Sequence, residues 1–200
     1  LANDVTYDVK AVDVDGNAIE SIYSVSIDGG YTWYVVGRTD LPTNAVLRFE
    51  DDFSNNRNNW AQTRETDEVR YIPPTDGEYC ILIKSTDLTA WEWYEPFRPD
   101  QFVAEVACIP DAGTDATCGI GFGPDGDNLY WFEVAPESQS FALFLLQNDE
   151  WQEAPISWTE SKNIMPTGWN YLSIERVGGY FSVFVNGVML GQVESNIFPT

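Results

Sequence analysis

The chain has 200 residues, and its 44% hydrophobic content is enough to build a packed core. A formal charge of −22 disfavours nucleic acid and anionic membranes as partners, whereas it suits cationic partners or glycans held through calcium. The absence of histidine excludes Ser-His-Asp triads and histidine metal sites, and no apolar run reaches the roughly 20 residues of a membrane span.

Nearly every segment alternates apolar and polar residues and ends in turn residues, a pattern typical of β-strands. Glycine-containing turns at Asp28–Gly30, Gly178–Gly179 and Asn186–Gly187 predict hairpins. We therefore predict an all-β protein, an antiparallel jelly-roll β-sandwich with an N-terminal strand or hairpin extension. The predicted strands are, in chain order, Val5–Val14, Val25–Ile27, Tyr31–Val36, Ala45–Phe49, Glu78–Lys84, Phe102–Cys108, Cys118–Phe122, Leu129–Val134, Ser140–Gln147, Tyr171–Val177, Tyr180–Val185 and Val188–Val193.

The stretch from Gly37 to Asn44 is rich in turn residues and separates the first strands from the rest. It predicts an N-terminal β-strand extension over residues 1–44 and a β-sandwich over residues 45–200. The extension is a partial immunoglobulin-like piece, an edge addition to the sandwich, or a donor strand for another molecule. Because the chain begins at Leu1 rather than methionine, we expect it to be processed or cut from a longer precursor.

Two of the three cysteines flank a predicted hairpin turn. Cys108 ends one predicted strand and Cys118 opens the next, so a disulfide between them is geometrically reasonable. The alternative is a pair of reduced, buried thiols. Cys80 alternates with apolar neighbours on its own strand and has no obvious partner within the chain.

A series of aromatic and glycine motifs follows Phe49 in a set order. The motifs are Phe49-Glu50-Asp51-Asp52-Phe53-Ser54 with Trp60, Gly77-Glu78-Tyr79, Phe102–Val106, Gly119–Phe122, Asn128–Val134, Trp169–Leu172 and Phe184–Gly187. In this order they resemble the concanavalin A-like lectin and glucanase superfamily, close to the laminin-G-like modules of bacterial surface proteins. The resemblance implies a jelly-roll fold in a secreted or cell-surface protein.

The end of the chain departs from that family pattern. Such modules usually finish with a strand that closes the sheet beside the first strand, whereas this chain stops at Phe198-Pro199-Thr200. Either Val5–Val14 fills that place, or a neighbouring subunit donates the strand, or the chain is a fragment. Donation between subunits would make the protein part of an assembly.

Enzymes of the laminarinase kind in this superfamily carry a Glu-x-Asp-x-x-Glu signature on one strand, and a hydrolase needs two opposed carboxylates. The nearest stretch here, Glu65-Thr66-Asp67, is followed by Arg70 where the last acid should stand. Glu105, Glu133 and Glu175 are isolated strand acids, for which a solvent-facing position is the simplest explanation. We therefore predict that the protein is not an enzyme.

Calcium is the one cofactor that the sequence suggests, because hard oxygen ligands are abundant. Asp111 with Asp115, and Asp125 and Asp127 with Asn128, lie in acidic turns between predicted strands. These residues bind calcium, or they serve backbone geometry alone, in which case there is no cofactor.

Aromatic residues in two connections are candidates for glycan binding, because pyranose faces stack on flat rings. Trp91, Trp93 and Tyr94 lie between residues 89 and 100, and Trp151 and Trp158 bracket another loop. These rings are exposed for recognition, or they pack against the core.

The leading functional hypothesis is a non-catalytic extracellular module, secreted or at the cell surface, for adhesion, assembly, or recognition of a glycan or surface protein. The first alternative is a structural subunit of a filament, sheath or surface layer that self-assembles through its N-terminal strand. The second alternative is a divergent glycoside hydrolase or lyase.

Overall fold

The computed structural model describes residues 23–26, 33–36, 49, 51–60, 63–86, 88–92, 101–110, 115–195 and 197. The chain forms two compact units, Leu1–Leu41 together with Pro99–Thr200, and Pro42–Arg98. All regular secondary structure in the described residues is β-strand, which confirms the predicted all-β fold. The described strands are β1 (Tyr23–Ser26), β2 (Trp33–Val36), β3 (Arg64–Glu65), β4 (Val69–Thr75), β5 (Glu78–Ile83), β6 (Phe102–Cys108), β7 (Cys118–Phe122), β8 (Leu129–Ala135), β9 (Ser140–Gln147), β10 (Glu150–Trp151), β11 (Ile156–Glu160), β12 (Asn170–Val177), β13 (Tyr180–Val185) and β14 (Val188–Glu194).

Two antiparallel sheets of the first unit face each other as a sandwich. In sheet A the order is β10-β9-β8-β7, and β11 also pairs with β9. In sheet B the order is β14-β13-β12-β6. Rings from the two sheets meet between them: Phe181 of sheet B lies 4.8 Å from Phe122 and 5.2 Å from Tyr130 of sheet A, centroid to centroid.

Alternation along each strand decides which side chains enter this core. On β8 the core residues are Tyr130, Phe132 and Val134, whereas Trp131 and Glu133 are half-buried on the other side, where Leu129 is also buried. Each fully buried apolar side chain of this size contributes about 1.5–3 kcal/mol relative to an exposed one. One face of sheet A therefore packs in the core, and the other face carries a different set of side chains.

The tight turn between β13 and β14 shows how local sequence sets the strand register. Asn186 and Gly187 have φ values of 50° and 79°, the left-handed conformation that two-residue hairpin turns require. The Asn186 side chain also accepts a hydrogen bond from the Tyr171 backbone N–H at 3.0 Å. The hairpin predicted at this dipeptide is present.

The second unit has its own small sheet, in the order β3-β4-β5, and its own aromatic cluster. The Trp60 ring lies 5.6 Å from both Phe53 and Tyr79, and its indole N–H donates to Asp51 Oδ2 at 2.6 Å. Burial raises the pKa of the Tyr79 hydroxyl. Cys80 of β5 is exposed.

Strands β3, β4, β10 and β11 were not predicted. β4 contains Pro73 and Pro74, which lie within a register shift of its pairing with β5, and proline inside a run argues against a regular strand. β11 alternates apolar and polar residues but is only five residues long, and a bulge interrupts its pairing with β9. Among the described residues, no helix is long and apolar enough to cross a membrane.

The N-terminal predictions fall mostly outside the described residues. β1 and β2 pair as an antiparallel hairpin, with Ser26 opposite Trp33. The predicted strand Val5–Val14 lies outside the described residues, and of Ala45–Phe49 only Phe49 is described. The division into residues 1–44 and 45–200, and the source of a closing strand, stay predictions.

A disulfide joins Cys108 and Cys118, whose Cα atoms are 6.1 Å apart. Cys108 ends β6 at the edge of sheet B, and Cys118 begins β7 at the edge of sheet A. The bond therefore links the two sheets covalently, at a position where no main-chain hydrogen bonds join β6 to β7.

Replacing both cysteines by serine should lower the free energy of unfolding by about 2–3 kcal/mol, because an open loop of this length leaves the unfolded chain more conformational entropy. Urea unfolding of the double variant and the unsubstituted protein measures the difference. Full alkylation of both thiols without a reductant would contradict the bond itself.

Candidate functional site

The outward side of sheet A carries a row of aromatic rings. Because Tyr130 and Phe132 face the core, Trp131 of β8 faces outward, and Phe144 of β9 lies directly opposite it in the register. Both rings are half-buried. The alternating pleat thus places two aromatic residues side by side on the side of sheet A that faces away from the sandwich core.

A bulge brings Trp158 of β11 to the same surface. Ile156 pairs with Leu143 and Thr159 with Phe141, so both Ser157 and Trp158 stand opposite Ala142. Strict alternation from the core-packed Ile156 would turn Trp158 inward, and the extra residue re-aims it outward. Its ring then contacts Phe144 at 5.9 Å between centroids.

Trp151 of β10 completes the row. It pairs with Leu146, two residues beyond Phe144 on the same strand, and its ring lies 6.2 Å from the Phe144 ring. Trp151 and Trp158 meet Phe144 at interplanar angles of 79° and 70°. The two indoles are 51% and 46% exposed, so they present large apolar surfaces to solvent on either side of Phe144. We call Trp131, Phe144, Trp151 and Trp158 the aromatic row.

Glycine on β7 makes room for the row and its neighbour. Gly121 is opposite Trp131, and a Cβ at Gly121 would lie 2.8 and 3.0 Å from two atoms of the indole. The Trp131 ring therefore lies over the bare backbone of β7. Gly119 occupies the equivalent position opposite Glu133, where a Cβ would press on Glu133 and on the main chain of Phe132.

Glu133 places a carboxylate beside the row. Its Oε2 accepts hydrogen bonds from the Trp131 indole N–H at 2.8 Å and from the Thr117 hydroxyl at 3.1 Å. Burial raises the pKa of this carboxyl, and the two hydrogen bonds offset only part of that effect. The result is a fixed acceptor group at the edge of a hydrophobic strip.

This arrangement has the features that sugar recognition needs. Aromatic rings bind the apolar faces of pyranose units, and a fixed carboxylate accepts hydrogen bonds from ring substituents. Neighbouring strands are about 4.8 Å apart, and β10 and β11 both pair with the edge of β9 opposite β8. The rings therefore extend across β8 and β9 and also along the far edge of β9. An extended ligand would contact several of them at once.

The structure separates the aromatic residues that the sequence singled out. Trp151 and Trp158 come together around Phe144, as described above. Trp91 belongs to the second unit, where its carbonyl accepts a hydrogen bond from the Tyr71 hydroxyl at 3.2 Å and its side chain is 37% exposed. Trp93 and Tyr94 lie outside the described residues.

The acidic turn before β8 is organised by its own hydrogen bonds. Asp125 Oδ1 accepts from the Asp127 backbone N–H at 3.0 Å and from the Asn128 amide at 2.8 Å. The Asn128 carbonyl oxygen accepts from the Asn148 backbone N–H at 3.1 Å, so it is committed to the β9–β10 turn. These hydrogen bonds hold the geometry of the turn, which is the second of the two roles predicted for its residues.

The other predicted calcium pair is described only in part. Asp111 lies outside the described residues. Asp115 lines an open depression of about 410 Å³ together with Ala116, Ala135, Glu137 and Ser138. Within the described ranges, no three acidic or cysteine side chains come together as a group that could hold a metal ion. Calcium binding by this protein stays a prediction.

Three members of the site were not singled out as binding residues from the sequence. Trp131 appeared only within the Asn128–Val134 motif, and Glu133 appeared there and as an isolated strand acid that was given a solvent-facing position. Phe144 lies in an apolar run, Phe141–Leu146, whose pattern does not reveal an outward face. The signal that was available is the pairing of glycines on β7 with bulky residues on β8.

Comparison with known proteins gives one structural similarity. No family model matches this chain, and no curated protein matches it. A solved structure that resembles it is the carbohydrate binding module CBM66 from Bacillus subtilis, at 16% sequence identity and a TM-score of 0.43. The match covers 70% of this chain and 76% of that one. The resemblance to concanavalin A-like lectins in particular stays a prediction.

Substitution of Gly121 by alanine should displace the Trp131 indole, because the new Cβ would collide with the ring. We expect a loss of about 1–2 kcal/mol in stability and a change in tryptophan fluorescence. Gly126→Ala is the matched control, since no atom lies within 4 Å of its Cβ position. Equal effects of the two substitutions would contradict the placement of Trp131 over β7.

Glu133→Gln should raise the melting temperature at neutral pH. Because its pKa is raised on folding, the folded protein keeps a proton over a pH range in which the unfolded chain has lost it, so the ionised form costs stability above that range. The gain should disappear at about pH 4, where the carboxyl of the unfolded chain also becomes protonated. Thermal melts at both pH values test this, and a destabilised variant at neutral pH would show that the carboxylate is needed for folding.

Proposed function

We propose that the sandwich is a non-catalytic carbohydrate-binding module that holds its ligand on the outer face of sheet A. The observation that carries this proposal is the aromatic row, in which Trp151 and Trp158 expose about half of their surface on either side of Phe144. Large apolar rings exposed together on an otherwise acidic protein are costly in water unless a ligand covers them.

The local construction supports binding rather than mere surface packing. Gly121 leaves the Trp131 ring lying on the backbone, and the bulge in β11 turns Trp158 outward. The bulge interrupts the pairing of β11 with β9, and a glycine inside β7 weakens that strand, yet each makes it possible for a flat ring to lie on the same surface. A rigid, preformed aromatic surface loses little conformational entropy when a glycan stacks on it.

The same surface gives little support to catalysis. A glycosidase needs one carboxyl group as acid and another as nucleophile or base, and paired carboxylates raise each other's pKa. The pKa of Glu133 is raised by burial, and its Oε2 is held by two neutral donors. We therefore retain the divergent hydrolase or lyase only as an alternative outcome of the experiment below.

A secreted or cell-surface location fits this proposal. The Cys108–Cys118 disulfide is of a kind that persists in oxidising compartments, and the charge of −22 keeps such a module soluble there. Adhesion to a glycan-bearing surface would then be its use. The filament or surface-layer alternative depends on residues 5–14, which lie outside the described residues.

A glycan array followed by calorimetric titration of the best ligands tests the proposal. Trp158→Ala and Trp151→Ala should each weaken binding about tenfold or more, because each removes a stacking surface at the centre of the contact. Trp169→Ala is the matched control, since Trp169 is also exposed, at 39%, but precedes β12 of sheet B.

Three results are decisive. Selective loss in the sheet A variants supports the proposal. Equal loss in all three variants, or no glycan bound at all, contradicts it. Release of shorter sugars during the titration would identify the protein as a hydrolase or lyase instead.

A further inference from the structure

We infer that the glycan bound by sheet A carries free amino groups, and that Glu133 selects it; this inference rests on the proposed function. The ligand class is a polymer or oligomer of amino sugars whose nitrogen is not acylated. Two independent observations carry the inference. They are the hydrogen bonds that the Glu133 carboxylate accepts and the distribution of charge over the strands of sheet A.

The Glu133 carboxylate has one oxygen committed and one available. Both described hydrogen bonds, from Trp131 and from Thr117, reach Oε2, and neither donor is charged. Among the described residues Glu133 forms no salt bridge. Its second oxygen, Oε1, can therefore accept a hydrogen bond from a ligand, and a charged N–H donor makes the strongest such bond.

The charge of sheet A favours a cation. Strands β7 to β11 contain three acidic residues, Glu133, Glu150 and Glu160, and no lysine or arginine. Glu160 pairs with Ser140, on the same side of the sheet as Ala142, so it adds a second carboxylate to the outer face. Glycans rich in uronic acid or sulfate would meet repulsion here and find no cation on these strands to pair with.

No basic residue in the described part of the first unit lies on a strand of sheet A. Arg176 belongs to sheet B and is buried beside Phe181. Lys162 lies in the turn that follows β11. The outer face of sheet A is thus an aromatic surface with acidic groups, on which an ammonium group gains both carboxylate and cation–π attraction.

Matched six-unit oligosaccharides of glucosamine, N-acetylglucosamine and glucose, all with the same linkage, test the inference by calorimetric titration. The three probes share the pyranose faces that stack on rings and differ in one substituent. We expect glucosamine oligomers to bind about tenfold more tightly than the other two, and Glu133→Gln to remove most of that preference.

A charge-matched control separates this site from general attraction between a polyanion and a polycation. Glu105→Gln changes the net charge equally, but Glu105 is exposed on β6 of sheet B. It should leave the preference unchanged. Polylysine serves as a sugar-free polycation, and Trp158→Ala should weaken glucosamine binding without weakening polylysine binding.

The outcomes distinguish the inference from the proposed function. If all three oligosaccharides bind equally and Trp158→Ala weakens each, the inference is wrong and glycan binding stands. If Glu105→Gln and Glu133→Gln reduce glucosamine binding equally, the preference is nonspecific charge and the inference is also wrong. If none of the probes binds while other glycans on the array do, the amino-sugar assignment is wrong; if nothing binds, both proposals fail.

Discussion

The ring of Phe181 lies between the two sheets of the sandwich, against Phe122 and Tyr130 from the opposite side. This packing fixes which residues of β8 face outward, because a strand whose even-numbered residues are held in the core must project its odd-numbered residues to the other side. A shift of one residue in β8 would exchange Phe132 with Trp131 and bury Glu133 in the core. The aromatic packing between the sheets therefore determines which side chains of β8 face outward as well as which enter the core.

The outer face combines features that are individually unfavourable for stability. It exposes two indoles, keeps a carboxyl group whose pKa is raised by burial, and uses glycines in the interior of β7, where they weaken a strand. Features of this kind commonly persist where a protein binds something, because the ligand covers the rings and pairs with the carboxylate. The disulfide between β6 and β7 and the well-packed core offset part of this cost. Under the proposed function, stability and binding thus depend on opposite faces of the same strands.

Much of the fold was predictable from local pattern. The strands β6 to β9 and β12 to β14 were predicted close to their observed bounds, since each combines alternation with a turn at either end. The site was predictable only in part. Trp151 and Trp158 were candidates because they bracket a loop, but Trp131, Glu133 and Phe144 lie within regular strands, where an aromatic or acidic residue is ordinarily either core or plain surface. The acidic turn at Asp125 was predicted to bind calcium or to serve backbone geometry. Asp125 Oδ1 and the side-chain oxygen of Asn128 hold the turn and the neighbouring hairpin together, and calcium binding stays a prediction.

The sequence by itself determined the class of the fold, the hairpin turns and the acidic character of the surface, since these depend on alternation, on glycine and asparagine conformations, and on residue counts. The pairing of strands decided the rest. Trp158 faces outward only because a bulge gives β11 one residue more than the segment of β9 that it pairs with, and Phe144 becomes the centre of the row only because β8, β10 and β11 all place rings around it. Such contacts join residues from separate parts of the chain, and the register between strands that creates them is fixed by the packing of the whole core.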